Sequence, residues 1–391
     1  MYDVIVVGAR CAGASLALFL GRKGVKVLLI DRFATPVPTL STHIIGETDV
    51  YARLGILEKM ENAGAPPLTR FRVDLCGTIF ESDMLVTSRA LGLRREILDP
   101  ILLDAADACD SVTTLLQANV VSMLYRNGEV AGVRCRHPDG TFQEYLGRIV
   151  VGADGRHSMV ASCVNPQKLR EDDERHLAVL YAYVEEMEPL PIPAVEWYWV
   201  EDGVMICNPI DQSMHCIAIM QPKEKLRAWQ KDLSHAFYQQ LMSVRTFAPR
   251  LKQFRTSGPI RGAHEISSYI RHPFGKGWAL VGDAGAHLHP IAGVGIDNAV
   301  CTAEILAEKL TLFLEGRNDW DSAMEEYARL RDERLIPQYE ASLATLALAA
   351  KKVPDEQMLS LQMLSTFPSH VKKIGMHAST VLNLMQEVEK S

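Results

Sequence analysis

The sequence predicts an α/β protein built from a Rossmann-like βαβ domain that is discontinuous along the chain, an antiparallel-sheet second domain and a C-terminal helical extension. Three observations predict it. A buried apolar strand runs into a glycine turn near the N-terminus, strands alternate through the middle of the chain, and the first texture returns near Gly277-Trp278. At 391 residues the chain is long enough for two packed domains and an extension, with room to enclose a sizeable ligand between them.

Residues 3–31 give strand, tight turn, helix and strand: VIVV, GARCAG, ASLALFLGRKG closing at Gly24, then VKVLLID. Pro, Thr and Ser then make a long connection over 33–47, the kind of loop that carries function. A helical pattern returns over 98–108, and VVSMLY with VAGVRCRH reads as a hairpin around Arg126-Asn127-Gly128-Glu129. RIVVGADG is a second buried strand, ending at Asp154-Gly155. From about 176 to 258 the strands LAVLYAYVEE, AVEWYWVED, GVMICNP and SMHCIAIMQ form the antiparallel sheet. After GWALVGDAGAH, the 3–4 spacing of Ile296, Val300, Ala303, Ala307, Leu310 and Leu314 predicts a long amphipathic helix. The division expected is 1–70, 95–175 and 259–318 for the first domain, 71–94 and 176–258 for the sheet domain, and 319–391 for helices with a Met-rich end (Met358, Met363, Met376, Met385).

Composition narrows the function classes. With 48% hydrophobic and 23% charged residues the chain is globular in type. Its net charge of -7 argues against nucleic acid, whose phosphates are bound mainly through clustered Lys and Arg. The eight cysteines show no CxxC, as expected of reduced thiols in a cytoplasmic protein. The strand at Val4 leaves no room for a signal peptide, and no segment reaches the roughly 18 apolar residues of a membrane span.

The turn Gly8-Ala9-Arg10-Cys11-Ala12-Gly13 stands between a buried strand and a helix start, where free amides and the helix dipole favour a pyrophosphate. Arg10 replaces the middle glycine of the usual fingerprint. Asp31 ends the second strand, about 20 residues on, where a carboxylate can accept ribose hydroxyls. Two further segments are Val150-Val151-Gly152-Ala153-Asp154-Gly155-Arg156-His157-Ser158 and Leu280-Val281-Gly282-Asp283-Ala284-Gly285-Ala286-His287-Leu288-His289-Pro290-Ile291-Ala292-Gly293-Val294-Gly295.

With these segments the chain resembles the group A flavin monooxygenases, the para-hydroxybenzoate hydroxylase-like family that includes halogenases and geranylgeranyl reductases, over roughly residues 1 to 320. The resemblance implies FAD as cofactor. Asp154 falls in the family's DG motif. Gly282 and Asp283 form its GD motif, with Asp283 at the ribityl chain, while Pro290, Gly293, Val294 and Gly295 bring backbone amides to the flavin ring. Arg95, in Arg95-Glu96-Ile97-Leu98, matches the family's RxxL position, with Arg94 as its rival. Gly8, Arg10, Ala12, Gly13, Asp31, Arg32 and Val120 complete the expected cofactor-binding set. GARCAG, Ser41-Thr42-His43 and GDAGAH together match a bacterial subgroup of the family. The start of the helix near Gly295 would point its positive end at the ring edge that becomes anionic on reduction.

The resemblance further implies an NAD(P)H-dependent monooxygenase acting through a flavin C4a-hydroperoxide on a small aromatic, polyketide-like or terpenoid-like substrate. O2 would be the co-substrate, and a homodimer is admitted. NADPH or NADH would bind transiently, because no second dinucleotide fingerprint and no redox CxxxxC appears. The rival readings are a C=C reductase, a halogenase and a flavoprotein without turnover. Trp197-Tyr198-Trp199 resembles the start of the halogenase WxWxIP motif, but Val200-Glu201-Asp202 follows it. His43 and His287 are the candidate acids or bases near neutral pH. Tyr181 and Tyr183 share one strand face by period two, as Trp197 and Trp199 do, and are the candidate substrate contacts. His287 and His289 lack the companions that a metal site needs.

Overall fold

The computed structural model describes residues 1–35, 39, 41–84, 89–172, 177–200, 202–263 and 266–349. The strand Tyr2–Val7 lies in the middle of a sheet, paired in parallel with Val27–Ile30 on one side and Phe142–Gly152 on the other. Val112–Leu115 extends the sheet beyond Val27–Ile30, and Trp278–Leu280 followed by Phe274–Gly275 extends it beyond Phe142–Gly152. Both faces of this sheet are covered, which is why Val4, Ile5, Val6 and Val7 are all buried rather than alternating. The helices Cys11–Gly21, Arg95–Asp107, Gly295–Leu314 and Trp320–Ala349 pack one face. The hairpin Asn119–Arg126 and Glu129–Arg136, with the short helix Met159–Val164, packs the other. The Tyr327 hydroxyl, fully buried, donates to the Leu280 carbonyl at 2.8 Å and ties the last described helix to the sheet.

The second sheet runs Leu251–Thr256, Leu177–Met187, His215–Pro222, Gly203–Pro209, Ala194–Val200, Arg70–Leu75 and Thr78–Asp83. It departs from expectation at two points. Ala194–Val200 pairs in parallel with Arg70–Leu75, because the latter arrives from the first part of the chain rather than through a hairpin. Residues within 176–258 are also not all strand: Lys223–Ala228 and Leu233–Ser243 are helices, and Leu226, Phe237 and Leu241 pack the outer face of the sheet. The inner face carries Tyr181, Trp197, Trp199, Ile206 and Met220, and Leu346 and Ala349 from the end of the last described helix reach the same cluster. The Met-rich end expected over 358–385 lies outside the described residues.

The helix expected from Ile296 to Leu314 spans Gly295–Leu314, with all of its marker residues buried except the half-buried Leu314. The first glycine turn depends on close approach. Gly8 has φ +103°, and a Cβ added there would meet the Ala153 carbonyl oxygen at 2.5 Å. Gly24 also has positive φ (+75°) but faces open space. Gly8→Ala should therefore cost about 2 kcal/mol or more, combining strain with a backbone clash, and Gly24→Ala about 1 kcal/mol from strain alone. Urea midpoints of the two variants check this order; equal losses would show that the approach to Ala153 is relaxed at little cost.

Candidate active site

One cavity of about 370 Å³ runs between the start of the first helix and the start of the helix Gly295–Leu314. Gly8, Arg10, Cys11 and Ala12 line one end. The helix Cys11–Gly21 follows Arg10, whose backbone is extended and whose side chain makes no capping hydrogen bond, so the first amides of the helix are available to an anion. Gly13 does not line this cavity. A Cβ there would lie 1.7 Å from the Gly8 carbonyl oxygen, so its role is to let the helix close against the turn.

Asp31 and Arg32 stand at the rim. The Asp31 carboxylate accepts from the Ala9 amide at 2.8 Å and the Phe33 amide at 2.9 Å, one on each oxygen, which fixes its position and leaves further lone pairs for hydroxyl donors. Ala118, Asn119 and Val120 form a neighbouring wall, and Ala153, Asp154, Gly155, Arg156 and His157 another. Asp154 is largely committed to the protein: its carboxylate accepts from the Met159 and Val160 amides at 2.6 and 3.2 Å, at the start of the helix Met159–Val164. Burial raises its pKa above the usual aspartate value, against these hydrogen bonds.

Arg95, not Arg94, lines the cavity. Its guanidinium is paired with the fully buried Asp99 one turn on, at 2.8 and 2.9 Å, and Asp99 also receives the Cys11 thiol at 3.1 Å. Arg94 turns to Asp211 instead, at 2.6 Å. Asp283 lines the cavity in the one-turn helix Gly282–Ala284, and its carbonyl accepts from the Tyr269 hydroxyl at 2.7 Å. Gly282, by contrast, lines a small void beneath, shared with Arg331 and Leu335.

At the other end Pro290, Gly293 and Gly295 line the cavity, with Ile296 and Ala299 behind them. Gly293 has φ +67°, and a Cβ added at Gly293 or Gly295 would meet nothing within 4 Å, so both glycines present bare backbone to the open space. Val294 precedes the helix without capping it and is not part of the lining. This arrangement fits FAD as the sequence expected: an uncapped helix start for the pyrophosphate, a fixed carboxylate at the rim for ribose, and a flat glycine edge for the ring.

The two histidines part company. His287 lines the cavity, and its Nδ1 sits 2.7 Å from the Ser267 carbonyl; that contact places the proton on Nδ1 and leaves Nε2 as the other functional nitrogen. His43 is fully buried, accepts from the Arg95 amide on Nδ1 at 3.2 Å and meets the Tyr183 hydroxyl through Nε2 at 2.8 Å. Burial, with the charges of Arg95 and Arg94, pushes its pKa down to about 3. The expectation of an imidazole titrating near neutrality is therefore corrected at His43, which is a neutral link between the helix Arg95–Asp107 and the second sheet.

Each of the two aromatic pairs shares a face as its spacing implied, and the structure brings both pairs into one cluster, but none of the four lines the cavity. Tyr181 and Tyr183 have ring centroids 5.8 Å apart, and so do Trp197 and Trp199. Ile44 and Ile266 bridge the two regions: both line the cavity and both pack on this cluster. Sequence reasoning missed Thr39, Ser41, Thr42, Arg156 and Leu288 as lining residues. The loop composition around 33–47 was a signal for the first three, and the Ser41-Thr42-His43 match a second one for Ser41 and Thr42.

A family model described as an FAD binding domain matches residues 1–335. Over 336 to 338 residues the chain is 28% identical to a digeranylgeranylglycerophospholipid reductase of Methanothermobacter thermautotrophicus (81% of this chain, 80% of the relative) and 25% identical to the ubiquinone hydroxylase UbiL of Rhodospirillum rubrum (79% and 72%). Among solved structures, the myxobacterial chondrochloren halogenase CndH superimposes with a TM-score of 0.80 at 19% identity, covering 96% of each chain, a likeness of fold.

Because His43 takes up its proton only near pH 3 in the folded chain, against 6.5 ordinarily, the unfolded chain binds the extra proton between these values. Stability is thus expected to fall as pH drops below about 6.5, by up to about 1.4 kcal/mol per pH unit for this group. Urea midpoints against pH for wild type and His43→Gln should show the shallower dependence in the variant; parallel curves would mean His43 does not stay neutral.

Proposed function

Because the chain belongs to the FAD binding domain family, we propose that it is an NAD(P)H-dependent monooxygenase that hydroxylates or epoxidises a small aromatic, polyketide-like or terpenoid-like molecule. The observation that carries this reading is the double role of the loop at Pro290–Gly293. Its glycine edge faces the cavity, while Ile291 is buried in the cluster with Tyr181, Trp197 and Trp199. On this reading one short segment would both position the flavin ring and wall an aromatic site.

Bound FAD would supply hydride acceptance from a reduced nicotinamide and activation of O2. The protein's own part is placement and protection. The first amides of the helix Cys11–Gly21 bind the pyrophosphate, Asp31 the adenosine ribose, and Asp283 and Arg95 the chain leading to the ring. The Gly293–Gly295 backbone and the helix behind it stabilise negative charge at the ring edge. The aromatic cluster, which reaches the cavity through Ile44 and Ile266, would keep that side dry, and His287, which lines the cavity, would hold or release a proton through Nε2.

Hydrogenation of a C=C bond is the second reading, favoured by the reductase relative and by the apolar lining of the inner face. A panel of phenols and prenyl compounds separates the two. Under ¹⁸O2, an aromatic ligand is expected to speed NAD(P)H oxidation about tenfold or more and to gain one labelled oxygen. Anaerobic reduction of an alkene without label would establish the reductase instead, and FAD that no nicotinamide reduces with any ligand would end both readings. Asp31→Ala should weaken FAD binding by about tenfold or more, from lost charge-assisted hydrogen bonds, as read by fluorescence on FAD release. Unchanged affinity would remove Asp31 from the cofactor site.

A further inference from the structure

The first turn of the helix Gly295–Leu314 looks two ways. Gly295 and Ile296 line the cavity, whereas Asp297 is turned into the protein and is only 6% exposed. Its Oδ2 accepts from the Gly46 amide at 2.8 Å. Oδ1 is buried with no hydrogen-bond partner among the described residues, and so is the hydroxyl of Tyr51.

The groups around this carboxyl come from every neighbouring element. Glu47, on the loop beside Gly46, is ion-paired with Arg334 of the last described helix, and Arg334 also donates to Asn298 Oδ1 at 2.9 Å. Cys301, one turn along the same helix as Asp297, gives its thiol to Glu47 at 3.4 Å. Arg53 lies beyond Glu47 and is paired with Glu304. Behind Tyr51 stand the Cys11 thiol and the Arg95 guanidinium. Arg334, a cation that the last described helix brings to this carboxyl, is thus largely engaged by Glu47. Burial first, and the Glu47 charge second, push the Asp297 carboxyl up to about 7, against the pull of the Gly46 and Glu47 amides and of Arg334.

We propose that Asp297 takes up a proton when FAD held in the adjoining cavity is reduced. The inference rests on FAD binding there, but not on which substrate is oxidised or reduced. Two electrons from a reduced nicotinamide would leave negative charge on the bound flavin, which the cavity would hold beside the helix start that carries Asp297. Two negative charges then compete for one positive helix end through protein rather than water, where screening is weak. The carboxylate and a solvent proton form a carboxylic acid, one O–H bond is made, and the helix end is left to the ring alone. Oδ1, with its unused lone pairs, is the atom free to receive the proton.

The test is a spectroelectrochemical titration of the FAD-loaded protein between about pH 5.5 and 8.5, for wild type, Asp297→Asn and Tyr51→Phe. A proton taken up per two electrons adds about 30 mV per pH unit to the slope of midpoint potential. Wild type and Tyr51→Phe are expected to show a slope steeper than Asp297→Asn by up to that amount around neutrality; identical slopes in wild type and Asp297→Asn overturn the proposal. If Asp297→Asn loses its flavin, the reduced-minus-oxidised infrared spectrum of wild type decides: a deuterium-sensitive carboxylic acid band gained on reduction supports uptake, and its absence overturns it. Protein that binds no FAD would defeat the cofactor reading and this inference together, while FAD-loaded protein without hydroxylase activity leaves the titration decisive.

Discussion

The helices Cys11–Gly21 and Gly295–Leu314 both begin without a side-chain cap, and both beginnings border one cavity. Helix starts leave amide donors without intrahelical partners, and such donors are costly to bury unless something accepts from them. Much of the surrounding structure follows from keeping these two ends uncapped and close. Gly8 and Gly13 let the first helix start hard against the sheet, and Gly293 turns the chain so that the second can start beside the cavity. Arg95 is held at the same cavity by Asp99, which is itself fixed by a thiol on the first helix, so charge is placed with little exposure to water.

The second sheet contributes through the asymmetry of its faces. Its outer face is closed by Phe237, Leu241 and Phe247, with the buried pair Glu196–Arg250 among them, and it serves stability. Its inner face is the aromatic cluster that meets the cavity through Ile44 and Ile266. Period-two alternation along Ala194–Val200 assigns Trp197 and Trp199 to one side and Tyr198 to the other, and Tyr198 accordingly packs on Phe247 at 5.4 Å between centroids.

What could be read from the sequence was what is local. The glycine turn, Asp31 at the end of the second strand and the glycine edge before the helix Gly295–Leu314 are set by backbone conformation within a few residues, and residue type records them. Partnership across the fold leaves no such mark. Nothing near His43 in sequence announces that Arg95 and Tyr183 enclose it, and nothing near Asp154 distinguishes a carboxylate that caps a helix from one that binds a ligand. The helix Leu233–Ser243 was hidden for a related reason: it covers the outer face of the sheet with only Phe237 and Leu241 buried, and strand signals on both sides outweighed its own pattern.

The pairing of Tyr2–Val7 with Phe142–Gly152 has a bearing on how the chain is made. Val4 is the register partner of Ile149, and that strand in turn holds Trp278–Leu280. The central strand leaves the ribosome before Phe142–Gly152 and waits with an exposed edge while well over a hundred further residues are synthesised, roughly ten seconds or more at cellular rates. Parallel partners this distant close slowly and leave a strand edge open to other chains. The hairpin Asn119–Arg126 and Glu129–Arg136, which extends directly into Phe142–Gly152, gives the late partner a locally formed antiparallel seed on which to register before it meets the first strand.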